Sequence, residues 1–176
     1  MNYFVTALKS EAQAFVDKFK LKKSKLDGFT LFQHELFVLI ISGIGIQNAT
    51  LATQTLLKNF HITNHDIFIN IGICGASKKF SIGDLVEMSA IYYQGEFFKV
   101  NEYNGYNITC VNEAEFQERY EIVDMESYGF YNALINKNIY IFKVVSDHFE
   151  PHTITKEKTK QLLFHSIEKI LQRIQQ

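Results

Sequence analysis

Val123-Asp124-Met125-Glu126-Ser127 closes a short apolar run with a methionine and a carboxylate just where a helical pattern begins. Glu126 has no helix-pairing reason to stand there. In an α/β domain its nearest companions would be other carboxylates at strand ends. The chain supplies two, Glu11 after the first strand-like run and Asp147 after the last. Three acids at one rim of a sheet form a candidate site.

Downstream of this stretch, Ser127, Tyr128, Tyr131, Leu134 and Ile135 keep helical spacing, and Tyr140 to Val145 reads as a buried strand. That strand ends in Ser146-Asp147-His148, and a loop closes at Pro151. His148 reads as a surface-loop residue or one at a pocket mouth. A last helix from about Thr155 places Leu163, Ile167, Ile170 and Ile174 on one face.

Upstream, Tyr3 to Ala7 predicts a buried strand, followed by a helix with Ala12, Phe15, Val16 and Phe19 on its apolar side. Glu11 falls in the first turn of that helix, where the N-terminal end of the helix dipole favours a negative charge. Taken alone, it reads equally as a helix-start residue and as a catalytic one. The lysine run from Lys18 to Lys25 reads as a solvated helix end and loop before an Asp27-Gly28 turn.

Strands are predicted over Phe29 to Phe32 and Leu36 to Ile41, then glycines at Ser42-Gly43-Ile44-Gly45 and a helix from Ile46. Ile67 to Ile71 is a further buried strand that also ends in glycines, Gly72-Ile73-Cys74-Gly75. Glycines at strand ends let backbone N–H groups approach an anion or a hydroxyl-rich ligand, and a plain tight turn explains them as well. In open α/β sheets ligands sit beyond the carboxyl ends of strands, so two such transitions suggest one binding edge. Leu85 to Tyr93 is another strand. After it, Phe97, Phe98, Tyr103 and Tyr106 surround an Asn104-Gly105 hairpin signal. These aromatics read as core or as an oligomer contact, with base stacking as the alternative. Glu113 to Glu121 reads as a short helix or loop.

At 176 residues, residues 1–176 read as one domain that buries a core without metals or disulfides. A hydrophobic fraction of 47% and a charged fraction of 21% belong to an ordinary globular protein. A formal net charge of -1 provides no footprint for nucleic acid or an anionic membrane, so a small molecule or another protein is the expected partner. Cys74 and Cys110 lack metal or disulfide-framework spacing and read as reduced thiols. No leader or membrane-length apolar run stands out. The expectation is a cytoplasmic protein with no metal and no cofactor.

The motifs then fall into an order: Ala7-x-x-x-Glu11, Ser42-Gly43-Ile44-Gly45 with Asn48-Ala49, Asn70-x-Gly72-x-x-Gly75, Gly83-Asp84-Leu85-Val86, Val123-Asp124-Met125-Glu126, and Val145-Ser146-Asp147. This order resembles the nucleoside phosphorylase superfamily, most of all the methylthioadenosine/S-adenosylhomocysteine nucleosidases. The resemblance implies a three-layer α/β/α sandwich around a central mixed sheet, in a homodimer. It implies that Glu126 holds the ribose hydroxyls, that Met125 packs on the sugar, and that Asp147, oriented by Ser146, hydrogen-bonds or protonates the purine at N7. Glu11 would orient and deprotonate the attacking water. Ile44, Gly45, Gly72, Ile73, Cys74 and Lys143 occupy the remaining substrate-binding positions.

The chemistry fits those residue types. A purine anion leaves poorly unless an acid neutralises it, and a weak nucleophile attacking an oxocarbenium-like sugar benefits from a base. Each such group is typically worth ~10²–10⁴-fold. The implied activity is hydrolysis of the N-glycosidic bond of an adenine nucleoside, such as methylthioadenosine, S-adenosylhomocysteine or an aminofutalosine-type compound. Asn70 and Ile73 stand where hexameric purine phosphorylases carry an arginine and a serine, which favours water over phosphate. A phosphate-dependent phosphorylase and a non-catalytic nucleoside-binding member are the alternatives. The sequence departs from the nucleosidase pattern at Ile73, at Lys143, where an arginine is usual, and in a short span between Asp84 and Glu126.

Overall fold

Alternating side chains along the central strands divide the apolar residues between two cores. The computed structural model describes residues 1–102 and 104–175, so Tyr103 lies outside the described residues. In β1 (Asn2–Thr6), Phe4 points to one core while Tyr3 and Val5 point to the other. In β5 (Ile67–Ala76), Ile69 and Ile71 join Phe4, whereas Phe68 and Cys74 join Val5. A strand with a period of two, apolar on both faces, must be covered on both sides.

Helices supply the covers. α1 (Lys9–Phe19) and α4 (Lys156–Arg173) pack on the Phe4 side through Ala12, Phe15, Leu163, Ile167 and Ile170. α2 (Ile46–Asn59) and α3 (Ser127–Asn132) cover the other side through Ala52, Leu56 and Phe130. The predicted layers of helix, mixed sheet and helix are present.

The centre of the sheet is parallel. β4 (Phe37–Ile41), β1, β5 and β10 (Asn138–Asp147) lie side by side in that order. Beyond β10 the sheet curls. β6 (Leu85–Tyr93) pairs antiparallel with β10, β8 (Tyr106–Cys110) pairs parallel with β6, and β9 (Ile122–Asp124) links β8 back to β5. One end of the ten-stranded sheet therefore closes on itself like a small barrel, while the other end stays open.

Three local expectations are corrected. Lys22–Leu26 is a strand, β2, pairing antiparallel with β3 (Phe29–Gln33) through an Asp27-Gly28 turn in which both residues have positive φ. Its lysines mark a sheet edge, where charge blocks pairing with a further strand. The hairpin between β6 and β7 (Glu96–Lys99) turns at Gln94-Gly95, φ 51 and 83, and not at Asn104-Gly105. Gly105 instead lies so close to the β6 backbone that a Cβ there would be 2.6 Å from the Glu87 carbonyl oxygen. Finally, β5 continues through Gly72 and Gly75 as pleated strand, so these glycines are not a loop.

Two details place the carboxylates. A Cβ at Gly129 would sit 2.1 Å from the Ile46 carbonyl oxygen, so α3 rests directly on the first turn of α2. The Thr50 hydroxyl clasps the contact, its one hydrogen within reach of the carbonyls of both Ile46 and Gly129. At the end of β10, Val145 pairs with Cys74 and Asp147 with Gly75, leaving Ser146 as an extra, bulged residue. Bulges re-aim the side chains that follow them.

Candidate active site

Beyond the carboxyl ends of β1, β4, β5, β9 and β10 lies a cavity of about 1130 Å³. Glu11, Glu126 and Asp147 all line it, together with Asp124, a carboxylate that the sequence reading did not single out. Each of the four is at most 7% exposed.

Glu11 is the third residue of α1 and is tied down by local geometry. Its Oε2 accepts the N–H groups of Ala7 (2.9 Å) and Leu8 (2.8 Å), closing the helix start in the manner of a capping box. Its Oε1 reaches across to the Ile73 N–H of β5 at 3.0 Å. A Cβ on Gly72 would stand 2.7 Å from that same oxygen, so the space left by Gly72 is filled by Glu11 and not by a ligand. Burial pushes the Glu11 carboxyl above its ordinary range, against the pull of these N–H groups and of Lys143. The helix-start and candidate-site readings of Glu11 are compatible, because one side chain caps the helix and lines the cavity.

Glu126 immediately precedes α3, and its Oε1 accepts the Gly45 N–H at 2.8 Å. Gly45 has φ 101 and opens α2, so this N–H is one of the donors that a helix start leaves unpaired. Burial raises the Glu126 pKa to about 7; Asp124 and Glu11 add to the rise, and Lys143 and the Gly45 N–H oppose it.

Asp147 is held from both sides. Its Oδ2 lies 2.7 Å from the Ser146 Oγ, and its Oδ1 accepts the Glu150 N–H at 2.9 Å. Phe149, with φ 64, adopts the left-handed conformation that this tight return requires. The Ser146 Oγ is also 3.0 Å from the Cys74 carbonyl oxygen. The His148 ring donates from Nδ1 to the Ala76 carbonyl at 2.9 Å; this residue braces β5 and does not line the cavity.

Met125, Ser146, Ile44, Ile73 and Cys74 also face the cavity. Gly45, Gly72 and Lys143 do not: Gly45 acts through its N–H to Glu126, Gly72 through the room it leaves for Glu11. Lys143 is 1% exposed and forms a buried ion pair with Asp124, Nζ to Oδ2 at 2.7 Å. Burial would push its pKa down, but Asp124, Glu126 and Glu11 outweigh that and hold it above the usual lysine value. Asp124 was legible only as the start of an Asp-x-x-Ser spacing, a pattern that often caps a helix.

The whole defines an α/β protein with an acid-floored ligand cavity at the carboxyl ends of its strands, the usual place for a small-molecule site. The chain belongs to the phosphorylase superfamily, whose sequence profile matches residues 3–138. Among curated proteins none matches it. Solved structures share its fold. The 5'-methylthioadenosine/S-adenosylhomocysteine nucleosidase from Neisseria meningitidis, in complex with methylthio-immucillin-A, is 16% identical with a TM-score of 0.79 and covers 98% of each chain. The corresponding nucleosidase from Colwellia psychrerythraea 34H, in complex with adenine, is 19% identical with a TM-score of 0.79, over 98% of this chain and 93% of that one. Futalosine hydrolase of Helicobacter pylori is 13% identical with a TM-score of 0.78, over 98% and 97%.

Proposed function

We propose that this protein is a purine nucleosidase that hydrolyses the N-glycosidic bond of an adenine nucleoside, such as methylthioadenosine, S-adenosylhomocysteine or an aminofutalosine-type compound. The observation that carries the reading is the presence of Glu11, Glu126 and Asp147 in one cavity, with Lys143 as the cation paired beside them. A floor with more acid than base favours a sugar that becomes cationic as its bond to the base breaks.

In this reading the purine meets Asp147, which hydrogen-bonds or protonates N7 as the bond to the sugar lengthens. The Ser146 hydroxyl, within reach of both the Cys74 carbonyl and Asp147 Oδ2, orients the Asp147 carboxyl from behind, and the Glu150 N–H holds its Oδ1. Glu126 accepts from the ribose hydroxyls beside the Gly45 N–H, and Met125 packs on the sugar. Glu11 orients a water on the opposite face and takes its proton. The buried Glu11 carboxylate beside the apolar Ile73 side chain favours a neutral nucleophile over phosphate.

The reading includes a homodimer of single-domain chains acting in the cytoplasm. Ile44, 53% exposed at the cavity wall just before α2, and Leu51, 54% exposed on α2, support a covered surface there. Two buried, unbridged cysteines support a reducing compartment.

The test is release of free base from methylthioadenosine, S-adenosylhomocysteine, adenosine and inosine, with and without phosphate. Phosphate-independent release from an adenine nucleoside is expected, and Glu126→Gln and Asp147→Asn should each slow it by ~10²–10⁴-fold. Release that requires phosphate would make the protein a phosphorylase, and no release from a folded protein would defeat the reading.

A further inference from the structure

Both side chains of the most deeply buried ion pair in the site are 1% exposed, and of the two residues Asp124 alone meets the cavity. Lys143, midway along β10, lies outside the cavity wall, with its Nζ 2.7 Å from Asp124 Oδ2. Asp124 has further tasks. Its Oδ2 also accepts the Ser127 N–H at 2.9 Å, and its Oδ1 accepts the Ser127 hydroxyl at 2.6 Å. One carboxylate therefore joins the end of β9 to the first residue of α3, and the two residues enclosed by that closure are Met125 and Glu126. On its other side, Lys143 is in register with Gly72 of β5, the residue whose missing side chain makes room for Glu11.

We infer that Asp124 and Lys143 are positioning residues: the pair pins the Met125-Glu126 turn and supplies the counter-charge for Glu126 and Glu11 without touching substrate. Stability is a poor reason for such a pair, since apolar residues of the same volume commonly do as well in a core. A cation beside two acids that must accept hydrogen bonds is a better one. The groups that bear on Glu126 come from every element packed around it: Lys143 from β10, Asp124 from β9, Glu11 from α1, the Cys110 thiol from β8 and the Gly45 N–H at the start of α2. Lys143 is the cation among them. Without it, Glu126 takes up its proton at higher pH. Without the Asp124 charge, Lys143 acts on Glu126 unopposed and the uptake moves to lower pH. A pair that only supported the fold would not move the two in opposite directions.

The experiment is a carboxyl-carbon NMR titration of the full chain labelled at glutamate, with the Glu126 signal assigned from Glu126→Gln. Lys143→Met is expected to raise the Glu126 midpoint by about one pH unit, Asp124→Asn to lower it, and Lys143→Arg to leave it near the unsubstituted value. The acidic limb of the base-release profile should move the same way in each variant. Midpoints that stay put, or that shift together, overturn the inference. If Lys143→Met does not fold, Asp124→Asn decides alone: a fall supports the inference, and a rise or no change overturns it. The activity arm rests on the nucleosidase reading and the NMR arm does not. Opposite shifts in a protein that releases no base would sink that reading and leave the positioning pair standing.

Discussion

At the floor of the cavity each acid has named partners: Glu11 takes three backbone N–H groups, Asp124 one lysine and one serine, Asp147 a serine and a turn amide. At the mouth, Lys9 and Lys156 are exposed, and Lys160 pairs loosely with Asp17 at 3.4 Å and Glu157 at 3.2 Å. Both regions are rich in charge. Only at the floor is the charge out of water, where each partner alters protonation and shape. At the mouth solvent screens the same kinds of groups, and exposed pairs are worth about 0–1 kcal/mol. The floor is therefore where a substitution should be felt, and the mouth is where side chains can vary at little cost.

The strongest way to break that contrast is Gly72→Ala. The added Cβ, 2.7 Å from Glu11 Oε1, forces the carboxylate away from the Ile73 N–H. Overpacking of this kind should cost about 1–3 kcal/mol in a denaturant melt. Base release should fall by ~10²-fold or more as the base loses its position.

An effect on stability that appears only at high pH tests whether the floor is held against its own electrostatic preference. The folded protein raises Glu126 to about 7 from an ordinary 4.5, so it holds that proton more firmly than the unfolded chain does. Glu126 therefore withdraws stability as pH rises from about 4.5 to 7, and the loss is complete above that window. Glu126→Gln removes the penalty. In melts it should be more stable than the unsubstituted protein by roughly 1–3 kcal/mol at pH 8, with no such advantage at pH 4. An equal difference at both pH values would show that the gain has another source.

The smallest expected effect sharpens the comparison from the other side. Lys156→Ala at the mouth should change stability by less than ~0.5 kcal/mol and base release by less than about twofold. A larger loss would make the mouth part of the binding surface.

Much of this arrangement can be read from spacing alone. The order of strands and helices follows from apolar runs with periods of two and 3.6, and Thr155 caps α4 where expected, its hydroxyl accepting the Lys158 N–H. The lysines of β2 misled because an edge strand and a solvated loop share a polar surface, and only pairing with β3 separates them. Asn104-Gly105 misled because its glycine answers to the β6 backbone and not to a hairpin. The family resemblance put Lys143 among the substrate-binding positions, and spacing could not show its pairing with Asp124, 19 positions earlier in the chain.

By itself the sequence determined the central strands, the long helices and which acids stand at the strand ends, because periodicity, turn chemistry and chain order are properties of neighbours. Only the tertiary structure decided that Glu11 reaches Ile73, that Ser146 bulges to re-aim Asp147, that Asp124 claims Lys143, and that one end of the sheet closes. Those contacts join residues from different elements. Their free energy depends on burial and on exact partners, and no local spacing encodes either.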